Sequence, residues 1–168
     1  MIDRILLKEL QEYIELHLNP VTFSVYRSED MIERNISEEV YSAEMKNFIK
    51  KNRKPSFKEL LFRFIDEKGA SDADIYKKAG MDRRHFSKIR SNKDYRPGKN
   101  TTIALALALE LDLMEADELL GSAGYTLSDS ETFDLVIQFC LEKKIYKLGE
   151  VNQALDYFSL RPLIGVIK

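Results

Sequence analysis

The sequence predicts an all-α protein. Apolar residues recur at helical spacing in most segments, capping residues precede several of those segments, and only 7 glycines and 4 prolines interrupt 168 residues. The composition, 44% hydrophobic and 32% charged, suits a globular chain whose apolar core needs no covalent staple. The single cysteine, Cys140, excludes an internal disulfide. Together with only two histidines, His17 and His85, it also excludes the ligand set of a zinc finger. No apolar run approaches the ~20 residues of a membrane span. The opening MIDRILLKELQEYIELHL carries Asp3, Arg4, Lys8, Glu9, Glu12 and Glu15 where a signal peptide would be apolar. A cytoplasmic protein with no membrane contact is the expectation.

The first 54 residues separate by composition. Ile2, Leu6, Leu10, Tyr13 and Ile14 mark one side of a helix over 2–17, VTFSVY at 21–26 suits a short extended piece, and a helix follows at about 38–51. KKNRKP at 50–55 reads as a linker, because Pro55 disfavours helical backbone at Lys54. In the next helix, 56–68, Ser56 and Glu59 have capping-box spacing, Phe57, Leu60, Leu61, Phe64 and Ile65 form one stripe, and Gly69 supplies a left-handed exit. Ser71 caps a short helix running through Ala79 and ended by Gly80, and Asp82 caps another running to about Ser91.

NKDYRPGK at 92–99 has the composition of a loop, after which Asn100 or Thr101 opens an apolar helix. Its Ala–Leu alternation imitates a strand, but alanine, leucine and glutamate favour helix, and a segment apolar on nearly every face suits a central one. A further helix spans about 114–122, closed by Gly121 or Gly124. Ser128 with Glu131 has capping-box spacing before a helix bearing Phe133, Val136, Ile137, Cys140 and Leu141. The last helix, about 148–158, carries Val151, Ala154, Leu155 and Phe158.

The overall charge of −2 conceals a strong asymmetry. Residues 1–45, 46–76, 77–99 and 100–168 carry net charges of −6, +3, +7 and −6 in turn. A basic island of this kind marks either an anionic partner or a solvated face. Its centre is the helix 82–91. At 100° per residue, Phe86 and Ile89 point to one side, the opposite side holds Arg84, Ser87, Lys88 and Ser91, and Arg83 and Arg90 lie on the flanks. Arginine and lysine reach phosphates or guanine edges, serine bonds either, and a helix fits the major groove. Lys93, Arg96 and Lys99 in the following loop suit a phosphate backbone. Tyr95, expected at an exposed turn tip, suits stacking on a nucleotide or contact with a protein.

Residues 71–97, SDADIYKKAGMDRRHFSKIRSNKDYRP, resemble the helix-turn-helix of the lambda-repressor-like (XRE-type) family. Ser71, Ile75, Ala79, Gly80, Ser87, Lys88 and Ile89 fit its pattern, and Asn92 and Pro97 sit where it has its loop. The apolar helix 101–111 followed by LMEADELL fits its last two helices, so that about 57–124 covers the five-helix unit. The longer stretch from Phe57 to Gly165 is similar to a bacterial helical module found alone or on the carboxyl side of macrodomains and other enzymes. That similarity rests on FKELLFRFIDEKG, YKKAGMDRRHFSKIRSNKDYRPGKNTTIALALALELDL and AGYTLSDSETFDLVIQFCLEKKIYKLGEVNQALDYFSLRPLIG.

The resemblance implies a five-helix core over 55–125 and an added pair of helices over 126–168; the helical segment over 1–54, set apart by its composition, suits a dimer or partner contact. It implies double-stranded DNA as the partner, with Arg83, Arg84, Ser87, Lys88, Arg90 and Ser91 on the recognition helix and Lys93, Tyr95, Arg96 and Lys99 in the loop. Tyr76 stands where the family carries a small alanine, and is expected to force the two short helices apart or redirect one of them. The adenine-reading glutamine is replaced by Asp72 and by Asp82–Arg83, so that Asp72 and Asp74 would lie near phosphates.

Nothing in the sequence has the form of an enzyme site. His85 has no accompanying nucleophile or oriented carboxylate, and there is no phosphate-cradling glycine loop, Gly-x-Ser-x-Gly elbow or His-Glu-x-x-His pair. Asp112, Glu115, Asp117 and Glu118 lack the spacing of a calcium loop and read as solvated helix-end residues. Cys140 lies on an apolar stripe, the place of a small buried hydrophobe. A non-enzymatic DNA-binding regulator of transcription, without metal or cofactor, is the expectation. The alternative is an adaptor that uses Tyr76, Tyr95 and the acidic flanks to hold a protein partner or an associated effector enzyme.

Overall fold

The structure, a computed structural model, describes Ile5, Leu6, Lys8, Glu9, Leu10, Tyr13 and residues 29–164. Among the described residues every regular element is an α-helix, and none is long and apolar enough to cross a membrane. The helix expected over 2–17 falls mostly outside them and the extended piece at 21–26 wholly so. The chain divides into two compact units, Met1–Arg53 and Lys54–Lys168.

In the first unit, helix α1 spans Glu29–Asn52, starting well before the expected position 38. No glycine or proline lies between Pro20 and Pro55, so no residue of the segment opposes helical backbone. Lys50 and Lys51 in the last turn complement the helix dipole, and the Asn52 side-chain amide donates to the Phe48 carbonyl at 2.8 Å. Pro55 follows beyond its end.

The second unit holds α2 (Phe57–Lys68), α3 (Asp72–Lys78), α4 (Arg83–Ser91), α5 (Lys99–Ala108), α6 (Leu113–Ser122), α7 (Thr132–Glu142) and α8 (Leu148–Tyr157). The capping box of α2 forms as its spacing dictates. Ser56 Oγ accepts from Glu59 N, Glu59 accepts from Ser56 N, and Gly69 turns left-handed at φ 63°. The five stripe residues Phe57, Leu60, Leu61, Phe64 and Ile65 are all buried. Each contributes roughly 1.5–3 kcal/mol relative to exposure to water.

Helix α5 is the centre of this unit. Every residue from Thr102 to Ala108 is buried, and α3, α6 and α8 pack around it. Its N-cap is Gly98, slightly ahead of the expected Asn100 or Thr101. The buried Thr102 hydroxyl is satisfied by donating to the Gly98 carbonyl at 2.9 Å. Asp112 and Glu115, expected as solvated helix-end residues, form a full capping box that starts α6.

The capping box expected of Ser128 and Glu131 does not form. Helix α7 starts later, with Glu131 at its N-cap making no side-chain bond there. This register puts Asp134 at the third helical position. It is buried, and one carboxylate oxygen accepts both the Ser128 amide at 2.7 Å and the Lys99 ammonium at 2.7 Å. A charge taken out of water needs such partners, and here they tie the start of α5 to the start of α7. Cys140, on the same helix, is fully buried, and burial pushes its thiol pKa up, which makes it a poor nucleophile.

Asp134→Ala removes an acceptor for two donors and is expected to destabilise the protein by about 3 kcal/mol in urea unfolding. Lys99→Ala should cost at least as much, because it leaves the buried Asp134 carboxylate with the Ser128 amide alone, whereas the ammonium left by Asp134→Ala retains 31% exposure and can hydrate. The opposite order would refute the role assigned to Asp134.

Candidate nucleic-acid interface

Two short helices joined by a tight turn carry the basic island. Ser71 caps α3 by accepting from Asp74 N at 3.2 Å, and Asp82 caps α4 by accepting from Arg84 N at 3.2 Å. Between them Gly80 takes a left-handed conformation, φ 65°. A Cβ on Gly80 would lie 3.1 Å from Leu148 Cδ2 and 3.4 Å from Ile164 Cδ1. The turn thus rests on α8 and the segment after it, a support that the local sequence does not announce.

Tyr76 is packed against α4. Its half-buried ring packs at 5.7 Å from that of Phe86, which also meets Phe62 edge-on at 6.0 Å. The bulk that an alanine would lack thus packs at the edge of the core, beside Phe86 of α4. Phe86 and Ile89 are buried, at 3% and 0% exposure, so α4 has the packing face its periodicity requires.

On the other side of α4, Arg83, Arg84, Ser87, Lys88 and Ser91 are all exposed. Among the described residues, Arg83, Arg84, Lys88, Lys93 and Arg96 enter no ion pair. The Ser91 hydroxyl donates back to the Ser87 carbonyl at 2.8 Å and keeps only its acceptor capacity outward.

Three expected contact residues are committed elsewhere. Arg90 is exposed but bonds Asp72 at 2.6 Å and lies 5.0 Å above the Phe62 ring, clamping α4 to α3 and α2. Lys99 is held by Asp134. Tyr95, expected at an exposed tip, is half buried, and its hydroxyl is 2.9 Å from His85 Nε2.

That last bond gives His85 a structural task and ties the 92–98 loop to α4. Asn92 shapes the loop, its side-chain oxygen accepting from Asp94 N at 3.0 Å and its carbonyl from Tyr95 N at 3.2 Å. Lys93 and Arg96, neighbours of the anchored Tyr95, remain exposed.

The nearby carboxylates divide in the same way. Asp72 is neutralised by Arg90. Asp74 is held below the usual carboxylate range by hydrogen bonds with Ser71 and, more weakly, by Lys78 and Lys77. Among the described residues no cluster of histidine, cysteine, aspartate or glutamate could hold a metal ion. What remains is an exposed face of Arg83, Arg84, Ser87 and Lys88 on α4, with Lys93 and Arg96 in the loop, able to bind an anionic surface by charge and hydrogen bonding.

Arg90→Ala should lower stability by about 1 kcal/mol through loss of the ion pair and the ring contact, while Arg84→Ala stays within about 0.5 kcal/mol of the parent. Gly80→Ala should cost about 1–2 kcal/mol, from the left-handed backbone and the pressure on Leu148. Thermal or urea unfolding of the three variants checks both statements.

Compared with models of known protein families, with curated proteins and with solved structures, the chain matches none.

Proposed function

We propose that this protein binds double-stranded DNA through α4, as a non-enzymatic regulator of transcription built on a lambda-repressor-like core. The observation that carries this reading is the division of one short helix into a fully buried face, Phe86 and Ile89, and an exposed face bearing Arg83, Arg84, Ser87 and Lys88. A helix of about 10–12 Å diameter enters the major groove, and side chains of these types reach phosphates and base edges there. Helices α2 to α6 make up the five-helix core, α3 crosses the backbone, and Lys93 and Arg96 sit on phosphates beside the groove. Helices α7 and α8 form an extension that braces the turn. Arg90, Lys99 and Tyr95 act from behind the surface: they hold α4, α5 and the loop in place.

The test is retention of mixed-sequence duplex DNA at about 50 mM salt, repeated as salt is raised. Binding should weaken steeply with salt. Joint replacement of Arg83, Arg84 and Lys88 by alanine should abolish it and leave unfolding unchanged. Failure of the parent protein to retain any duplex overturns the reading.

A second reading, a protein-binding adaptor, is favoured by a specific observation: Leu135 and Phe139, one turn apart on α7, are 45% and 54% exposed. A stoichiometric protein partner lost on Leu135→Ser with Phe139→Ser, together with absence of duplex binding, would decide for it.

A further inference from the structure

We propose that α1 is a self-association surface, on which two copies of this chain pair in antiparallel orientation. Tyr41, Met45, Phe48 and Ile49 lie within an arc of about 100° on this helix. They are 62%, 60%, 67% and 51% exposed. Large apolar side chains on one stripe, each more than half in water, are the mark of a face that lacks its partner. Tyr41, Met45, Phe48 and Asn52 are spaced 4, 3 and 4 residues apart, the alternation of a coiled-coil seam.

The charges beside the stripe identify the partner and its direction. Glu38, Glu39 and Glu44 precede Met45; Lys46, Lys50, Lys51, Arg53 and Lys54 follow Phe48 or flank it, and no acidic residue occurs from Met45 to Lys54. A second copy running the opposite way sets the acidic half of each helix against the basic half of the other. With Met45 opposite Phe48 of the partner, Tyr41 meets Asn52 across the seam. Glu44 and Lys51 occupy the same flank, so Glu44 of each copy faces Lys51 of the other. A parallel pair would set Glu38 against Glu38 and lysine half against lysine half, which like-charge repulsion disfavours. The side chains concerned are exposed, so replacing them leaves the second unit's core intact.

Sedimentation or light scattering of the full chain should give a mass near twice 19.5 kDa at about 50 μM, falling on dilution. Met45→Glu with Phe48→Glu should hold the mass at that of one chain without altering thermal unfolding of the second unit. Glu44→Lys alone and Lys51→Glu alone should each weaken association by about three- to tenfold. An equimolar mixture of those two variants should restore it, because every Glu44–Lys51 position then again joins opposite charges.

Orientation is read by oxidation. A mixture of Tyr41→Cys and Asn52→Cys chains should give a covalent heterodimer. Asn52→Cys chains that link efficiently to one another would show parallel pairing and overturn the proposal. So would a single-chain mass at every concentration, or association indifferent to Met45 and Phe48. None of these readouts involves DNA, so the pairing and the role of α4 stand or fall separately.

Discussion

A helix that is apolar on every face tolerates water on none of them, and α5 imposes that requirement on the second unit. With Thr102 through Ala108 buried, the other helices must surround it, and their own stripes are set by where α5 lies. Two polar groups are carried into this interior. The Thr102 hydroxyl is satisfied within the helix, and Asp134 at the edge receives Lys99 and the Ser128 amide. The arrangement is a hydrophobic centre with its few polar exceptions each bonded, as a stable interior demands.

That packing explains why α4 can be cationic on one side. Phe86 and Ile89 anchor it, Tyr76 and Phe62 fill the space around Phe86, and Arg90 closes the contact from outside by stacking on Phe62 and bonding Asp72. Among the described residues the remaining cations of α4, Arg83, Arg84 and Lys88, enter no ion pair. They are presented by a helix whose position is settled by other residues, the condition under which a charged surface holds a fixed geometry.

What was legible in the sequence was whatever is decided within about four residues. The capping box of Ser56 and Glu59, the caps at Ser71 and Asp82, the left-handed Gly69 and the buried stripe of α2 follow from spacing alone, and the all-helical character follows from their sum. The direction of the α4 faces was legible for the same reason. The commitments of Arg90, Lys99 and Tyr95 were not. The partner of Lys99 is 35 residues away, and nothing local distinguishes a lysine that will meet a buried carboxylate from one that will meet water. Ser128 and Glu131 show the converse failure: the right spacing for a cap gave way to Asp134, whose buried charge had the stronger claim on the Ser128 amide.

Gly80 connects these two scales. Its backbone is local chemistry, a left-handed turn that glycine adopts freely, but the space above it is occupied by Leu148 and Ile164 from the far end of the chain. The turn between α3 and α4 is therefore seated on Leu148 at the start of α8 and on Ile164 beyond its end. A change that displaces Leu148 or Ile164 removes the contact beneath the turn that separates α3 from α4, although neither residue belongs to those two helices.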